Sequence, residues 1–215
     1  MIRLTKTDKP KVLVDHEDEW RIEYMQEVAA GLARGKRKKR YNHPSIKSEL
    51  IYETVGKCAY CESKIMHVSW GEIEHIVPVS QNPALVVAWD NLTLACPVCN
   101  GTKSDYWEEG NEILNPYVDQ PDEHVIFAGP VVLARPGSQR GATTIDQIGL
   151  NRPGLIERRQ ERLDRINHLL NAFEAMTPGP SRDAVAGVLK AEAEKSMEFS
   201  ATVTAHLNRD PAAPV

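Results

Sequence analysis

Apolar residues recur at helical spacing near the start of the chain, and this pattern predicts two helices. The first is expected over residues 17–34, with Gly35 as its stop signal. The second is expected to begin near Pro44 and to end near Gly56. Each carries its apolar residues on one side, which is typical of a helix that packs against a core.

A different pattern follows in the second half of the chain, where short apolar runs are separated by turn residues. The runs at 125–127 and 131–133 flank Gly129 and Pro130 and predict a β-hairpin. The run at 143–145, with two β-branched threonines and an isoleucine, predicts a further strand. This region is therefore expected to contribute a small sheet.

The C-terminal region again shows helical spacing. A long helix is predicted from Pro153, in the first turn, to a break at 178–181. A last helix is predicted to end near Leu207, and residues 210–215 are expected to form a loose tail. Arg159 falls within the apolar stripe of the long helix, where an unpaired guanidinium is costly to bury. We hypothesise that it pairs with an acidic group of the central segment and docks the helix there.

Two Cys-x-x-Cys pairs are the most specific chemical pattern in the sequence. They place Cys58 and Cys61 in one tight turn and Cys96 and Cys99 in another, separated by 34 residues. Zinc prefers tetrahedral thiolate coordination, and each turn supplies two sulfur atoms. Because the chain shows no export signal, metal binding is favoured over disulfides for these four cysteines. The pattern predicts a structural zinc, since four thiolates leave no open position for catalysis.

Between the two pairs, Glu74 and His75 lie in a segment of β character, and Asn100 follows the last cysteine. A strand that fixes the imidazole against water predicts a general base, because neutral imidazole accepts protons near pH 7. Glu74 and Asn100 offer oxygen ligands to a catalytic Mg²⁺ or Mn²⁺, which keeps other positions for water and phosphate. The combination predicts cleavage of a phosphodiester. The plainer alternatives are a packed histidine and an asparagine that only caps a helix.

Other polar residues of this segment receive lesser roles. Asn91 lies between the expected strands, and we predict that its side chain orients the strand that carries His75. Lys103, on the helix expected after the last cysteine, is predicted to contact nucleic acid. His67 receives no role, and Glu72 is interpreted as a surface carboxylate.

The net charge of −4 is unevenly distributed along the chain. Residues 1–57 carry 13 basic and 9 acidic side chains, residues 58–125 carry 2 and 11, and residues 126–215 carry 11 and 10. An acidic central segment binds a polyanion poorly, so positive charge must come from the flanks, a bound cation or a partner. One basic run is the candidate phosphate-binding patch, with a solvated connector as the alternative. It consists of Lys36, Arg37, Lys38, Lys39 and Arg40.

Taken together, residues 58–105 resemble the HNH endonuclease family. His75 stands at the position of the first His, Asn91 at that of the middle Asn and Asn100 at that of the terminal His or Asn. Glu74 occupies the position where the family commonly has Asp. The resemblance implies a ββα fold with one catalytic divalent metal, often braced by a four-cysteine zinc.

Shorter motifs extend the resemblance over most of the chain. The segments 58–62, 73–75, 115–117 and 148–152 are similar to those of the HNH subfamily found with retrons and Septu-type anti-phage systems, the PtuB-like proteins. That likeness implies a nuclease subunit that acts on nucleic acid, here taken as DNA, together with an ATPase of the SMC/ABC type. Two alternatives stay open: a zinc-stabilised adaptor module without catalysis, and a stand-alone restriction-like nuclease.

The sequence as a whole predicts an α+β protein with three parts. Residues 1–57 form an N-terminal helical region with the basic run, 58–125 the HNH nuclease module, and 126–215 a β-hairpin with C-terminal helices. The chain contains no apolar stretch of about eighteen residues and no segment typical of a secretory signal. We therefore expect no membrane span and a cytoplasmic location.

Overall fold

The computed structural model describes residues 1–66, 69–209 and 213. His67 and all but one residue of the expected tail at 210–215 lie outside these ranges. Helices combine with two separate two-stranded sheets, so the α+β prediction is confirmed. The helices are α1 (Lys11–Ala29), α2 (Pro44–Thr54), α3 (Pro97–Lys103), α4 (Pro121–His124), α5 (Gln139–Ile148), α6 (Pro153–Ala175), α7 (Pro180–Glu192) and α8 (Ser200–Leu207). The strands are β1 (Glu72–His75), β2 (Leu92–Ala95), β3 (Val125–Ala128) and β4 (Val131–Ala134).

A ββα unit lies at the centre of the chain, as the resemblance implies. Strands β1 and β2 are antiparallel, with Glu74 opposite Thr93 and His75 opposite Leu92. Helix α3 follows β2 directly, because Cys96 accepts a hydrogen bond at its Sγ from the backbone N–H of Cys99 (3.4 Å) and so caps the helix. The last residue of β1 and the first turns of α3 are thereby held on one scaffold.

The N-terminal helices agree with the prediction in number but not fully in position. Helix α2 closely follows its predicted range, whereas α1 lies several residues toward the N-terminus of the range expected for it. Gly31 adopts a left-handed conformation (φ +72°) just beyond α1, which ends the helix before Gly35. Trp20 of α1 is buried, whereas Leu32, within the predicted range but beyond α1, is exposed.

An ion-paired network fastens the N-terminal segment to the ββα unit. Glu53 of α2 accepts hydrogen bonds from the Lys6 ammonium (3.0 Å), the Thr7 amide (2.7 Å) and the Tyr117 hydroxyl (2.9 Å). The Lys6 ammonium also lies 3.7 Å from the ring centroid of Trp89, in the loop between β1 and β2. The motif at 115–117 therefore has a structural task, since its tyrosine completes this network.

Two predictions for the C-terminal half are wrong and two are confirmed. The hairpin is present as β3 and β4, and the long helix as α6. Residues 143–145 belong to α5, where Thr144 donates its hydroxyl to the carbonyl of Arg140 (2.8 Å) and is satisfied within the helix. The single last helix is two helices, α7 and α8, because Phe199 adopts a left-handed conformation (φ +53°) and buries its ring.

Arg159 is buried in the apolar face of α6, but its predicted acidic partner is wrong. The guanidinium donates to the carbonyl oxygens of Leu150 (2.7 Å) and Pro130 (3.2 Å). It also lies 5.8 Å from the ring centroids of Phe127 and Phe199. The residue joins α6 to the hairpin turn through main-chain oxygens, which a sequence pattern does not reveal as free acceptors.

The apolar core is continuous across the three predicted parts. One cluster joins residues of the N-terminal helices, the ββα unit, the hairpin and the start of α6, and a second cluster lies between α6, α7 and α8. Among the described residues, none of the helices has the length and apolar character that a bilayer crossing requires. The ββα unit is thus supported by packing on several sides.

Gly141 of α5 lies close to the end of α4, and we expect its replacement by Ala to destabilise the protein. A Cβ at this position would lie 2.3 Å from the carbonyl oxygen of His124, a backbone atom that cannot rotate away. Gly141→Ala should lower the free energy of unfolding by about 1–3 kcal/mol, as overpacking usually does. Urea denaturation measures this change.

The matched control is Gly154→Ala in the first turn of α6, where an added Cβ meets nothing within 4 Å. This substitution should leave the free energy of unfolding unchanged or raise it by up to about 1 kcal/mol. Equal urea midpoints of unfolding for the two variants would show that α5 does not approach α4 this closely.

Candidate active site and metal centres

The two cysteine pairs converge on one point of the ββα unit. The sulfur atoms of Cys58, Cys61, Cys96 and Cys99 all lie within 4.8 Å of one another, and none of these residues is in a disulfide. The separation of the Cys61 and Cys96 sulfurs is 4.0 Å. A tetrahedral zinc with bonds of about 2.3 Å sets its sulfurs about 3.8 Å apart. The donor set therefore fits a closed zinc site.

Arg152 approaches the same sulfur cluster from outside the ββα unit. Its guanidinium lies 3.5 Å from the Cys99 sulfur and 3.9 Å from the Cys96 sulfur. Burial opposes its charge, but the thiolates of Cys99 and Cys61 raise the pKa of Arg152 overall. In the sequence, the segment 148–152 shows only a family likeness. In the structure, its arginine, Arg152, contacts the cysteine sulfurs and offsets the thiolate charge.

His75 is held rigidly at the end of β1. Its Nε2 lies 2.8 Å from the carbonyl oxygen of Val86, and its ring meets the edge of Tyr41 at a centroid distance of 4.6 Å. Because a carbonyl only accepts, the proton of the neutral ring lies on Nε2 and Nδ1 keeps its lone pair. Burial lowers the pKa of His75 to about 4, so the imidazole is neutral at pH 7.

Asn91 ties together the two segments that flank the imidazole. Its Oδ1 accepts from the amide of Val77 (2.8 Å), and its Nδ2 donates to the carbonyls of Val77 (3.0 Å) and Leu85 (3.3 Å). Val77 lies two residues beyond His75, and Leu85 precedes the residue whose carbonyl accepts from the imidazole. These contacts restrain the position of the ring from both sides.

Glu74 is buried, and its carboxylate pairs with Lys103. The ammonium of Lys103 lies 2.5 Å from Oε1 of Glu74. Burial raises the pKa of Glu74, and the charge of Lys103 opposes this effect. A carboxylate at this position offers oxygen ligands of the kind that a hard cation prefers.

The position of Lys103 corrects one sequence prediction. Its side chain is 2% exposed, and its ammonium donates to the carbonyl of His75 (2.9 Å) besides pairing with Glu74. An ammonium enclosed in this way is not available to a phosphate on the surface. Lys103 instead joins α3 to the end of β1, and the predicted nucleic-acid contact is withdrawn.

Asn100 faces the same cleft from the first turns of α3. Its Nδ2 donates to Oε2 of Glu72 (2.6 Å), which turns the amide oxygen away from that carboxylate. Glu72 is exposed, as expected, but it is also the residue that orients Asn100. Glu74, His75 and Asn100 line one small cleft of about 110 Å³. The structure therefore brings the predicted base and the two predicted metal ligands together.

The basic run lies beside this cleft. Arg37 and Lys39 line a cavity of about 330 Å³ that also reaches His75. Lys38 and Arg40 are exposed and pair with Glu23 of α1. The last member, Lys36, is exposed as well. Two members of the run, Arg37 and Lys39, therefore lie at the cavity that reaches His75.

Comparison with known proteins places these features in a wider group. The model of the HNH endonuclease family matches residues 58–106. Septu protein PtuB of Bacillus thuringiensis is 31% identical over 152 residues, which is 70% of this chain and 55% of the relative. Septu protein PtuB of Bacillus mycoides (strain KBAB4) is 32% identical over 150 residues, which covers 55% of this chain and 51% of the relative. The chain thus spans about half the length of these curated relatives.

Proposed function

Residues 58–106 form an HNH endonuclease domain, and from this premise we propose that the protein is a metal-dependent endonuclease that hydrolyses phosphodiester bonds of nucleic acid. The observation that carries the proposal is the cleft shared by Glu74, His75 and Asn100. In it, a neutral imidazole with a free Nδ1 faces a carboxylate and an amide suited to a hard cation.

We assign the roles as follows. His75 accepts a proton from water at Nδ1, and the water oxygen bonds to phosphorus as the bond to the leaving oxygen breaks. Val86 and Asn91 keep the imidazole oriented, the first through its carbonyl and the second through its amide. Glu74 and Asn100 would hold Mg²⁺ or Mn²⁺, and the ion would supply stabilisation of negative charge on the phosphate oxygens. The four-cysteine zinc is structural.

We further propose that the nuclease belongs to a Septu-type anti-phage system and acts on DNA with an ATPase of the SMC/ABC type. The likeness to two proteins named Septu protein PtuB supports the defence role. The acidic character of residues 58–125 supports the need for a partner, because that segment attracts a polyanion weakly. The basic run beside the cleft supplies part of the missing charge.

Plasmid DNA incubated with the purified protein tests the enzymatic proposal. We expect nicking or linearisation with Mg²⁺ or Mn²⁺ and none with EDTA, because EDTA removes the exchangeable cation held by Glu74 and Asn100. Single-stranded DNA and RNA of equal length, run in parallel, test the assignment of DNA as substrate. Absence of cleavage, both alone and with an added ATPase of the SMC/ABC type, would favour the adaptor alternative.

A further inference from the structure

Arg34 supplies the basic side chain of the cleft that contains Glu74, His75 and Asn100; among the described residues no other Lys or Arg lines it. It lies outside the HNH domain, in a 3₁₀ turn (Arg34–Lys36) that follows α1. The same residue lines the neighbouring basic cavity, which shares His75 with the cleft. Arg34 therefore lies where the two cavities meet.

The contacts of Arg34 leave it free to exchange partners. Its Nη1 lies 2.8 Å and 2.9 Å from the two carboxylate oxygens of Asp105, just beyond α3. The two side chains are 60% and 44% exposed. Exposed ion pairs of this kind contribute little to stability, so a competing anion can displace the carboxylate. The guanidinium matches the oxygens of a phosphate as well as those of a carboxylate.

The cleft needs such a cation. Phosphodiester hydrolysis builds up negative charge on the phosphate oxygens, and donors positioned for that charge accelerate the reaction. Lys103 cannot serve, because it is buried between Glu74 and the carbonyl of His75. The remaining charged residues of the cleft, Glu74 and Asp105, are acidic.

Resting on the endonuclease function proposed above, we propose that Arg34 is a further catalytic residue, which leaves Asp105 and binds a non-bridging oxygen of the scissile phosphodiester. The turn between α1 and α2 thereby completes the active site of the HNH domain. Asp105 restrains the guanidinium while no substrate is bound. The basic cavity beside Arg34 receives the adjoining part of the nucleic-acid backbone.

Single-turnover cleavage of a fluorescent DNA duplex in Mg²⁺ tests this role. Arg34→Ala should lower the cleavage rate by about 100-fold or more, the usual effect of removing one charge-stabilising donor. Its affinity for the duplex, measured by anisotropy in Ca²⁺, should fall by less than about tenfold, because only one of several phosphate contacts is lost. Arg34→Lys should recover part of the rate, since it keeps the charge but not the planar fork.

Two further variants, Asp105→Asn and Arg21→Ala, distinguish a catalytic role of Arg34 from a structural one. Asp105→Asn should cleave at least as fast as the wild type, because it releases Arg34. Arg21→Ala removes another exposed arginine, which pairs with Asp18 on α1 (2.8 Å), and it should cleave like the wild type. Equal losses in Arg34→Ala and Asp105→Asn would mean that the ion pair is only structural and would overturn the inference.

The same series distinguishes this inference from the premise on which it rests. An active wild type with an inactive His75→Ala variant supports the endonuclease function. If Arg34→Ala then cleaves as fast as Arg21→Ala, only the catalytic role of Arg34 is lost. A wild type that cleaves no duplex under any metal condition, either alone or with an ATPase of the SMC/ABC type, removes both proposals.

Discussion

Replacing His75 by Ala is expected to lower the single-turnover cleavage rate by about 10²–10⁴-fold, the contribution of a positioned general base. The expectation follows from the fixed tautomer, since the hydrogen bond to the carbonyl of Val86 leaves Nδ1 as the only proton acceptor on the ring. Because burial lowers the pKa of His75 to about 4, the base is already deprotonated at pH 7. The rate is measured with a DNA duplex at saturating enzyme and Mg²⁺.

His168→Ala is the matched control, because His168 is exposed on α6 and lies outside the cleft. It should cleave like the wild type. The His75 variant must retain one zinc per chain and its far-ultraviolet circular dichroism, since loss of the Val86 hydrogen bond costs about 1–3 kcal/mol and must not unfold the protein. A folded, zinc-loaded His75→Ala that cleaves at the wild-type rate would contradict the assignment of the base.

The parts of the site that were predictable depend on short spacings. Two residues between cysteines define a knuckle, and an apolar run between the knuckles defines a strand, so the zinc set and the position of His75 follow from neighbours along the chain. The contiguity of Glu74 and His75 on β1 likewise needs no knowledge of the rest of the fold. Short-range sequence patterns are therefore sufficient to identify the candidate functional groups of the ββα unit.

The failures concern groups whose surroundings come from distant segments. The sequence predicts Lys103 to be a surface cation on a short helix. Its ammonium is instead enclosed, because the carboxylate of Glu74 and the carbonyl of His75 on β1 contact it. Arg34 has no motif of its own, and it becomes part of the cleft only because the turn after α1 folds against α3. Arg159 is buried, as its place in the apolar stripe predicts, but its acceptors are carbonyls of two turns. In each case the contact partners depend on tertiary packing that spacing does not encode.

The acidic central segment, residues 58–125, is contacted by an arginine from each of its flanks. Arg34 and Arg152 reach into the ββα unit from before and after it, and each meets a negative group, a carboxylate in one case and the thiolate cluster in the other. The flanks therefore complete the electrostatics of the HNH domain. This arrangement brings positive charge to a segment, 58–125, that has 2 basic and 11 acidic residues.

Loss of the zinc is expected to unfold the ββα unit, and with it the active site. Cys99→Ser removes one of four convergent sulfur ligands. A structural zinc contributes about 10–16 kcal/mol in small zinc domains, which matches the whole stability of a typical domain. We expect the variant to bind less than one zinc per chain, to lose cleavage and to unfold well below the wild-type melting temperature. Elemental analysis and circular dichroism measure these changes.

The control for this variant is Thr102→Ala, an exposed position on the same helix α3. It should keep the zinc and change the free energy of unfolding by no more than about 0.5–1 kcal/mol. Brief EDTA treatment offers a second comparison in the wild type, because it should abolish cleavage reversibly by removing the exchangeable cation while the enclosed zinc stays bound. A zinc-free protein that melts like the wild type and cleaves again on addition of Mg²⁺ alone would show that the four sulfurs do not brace the fold.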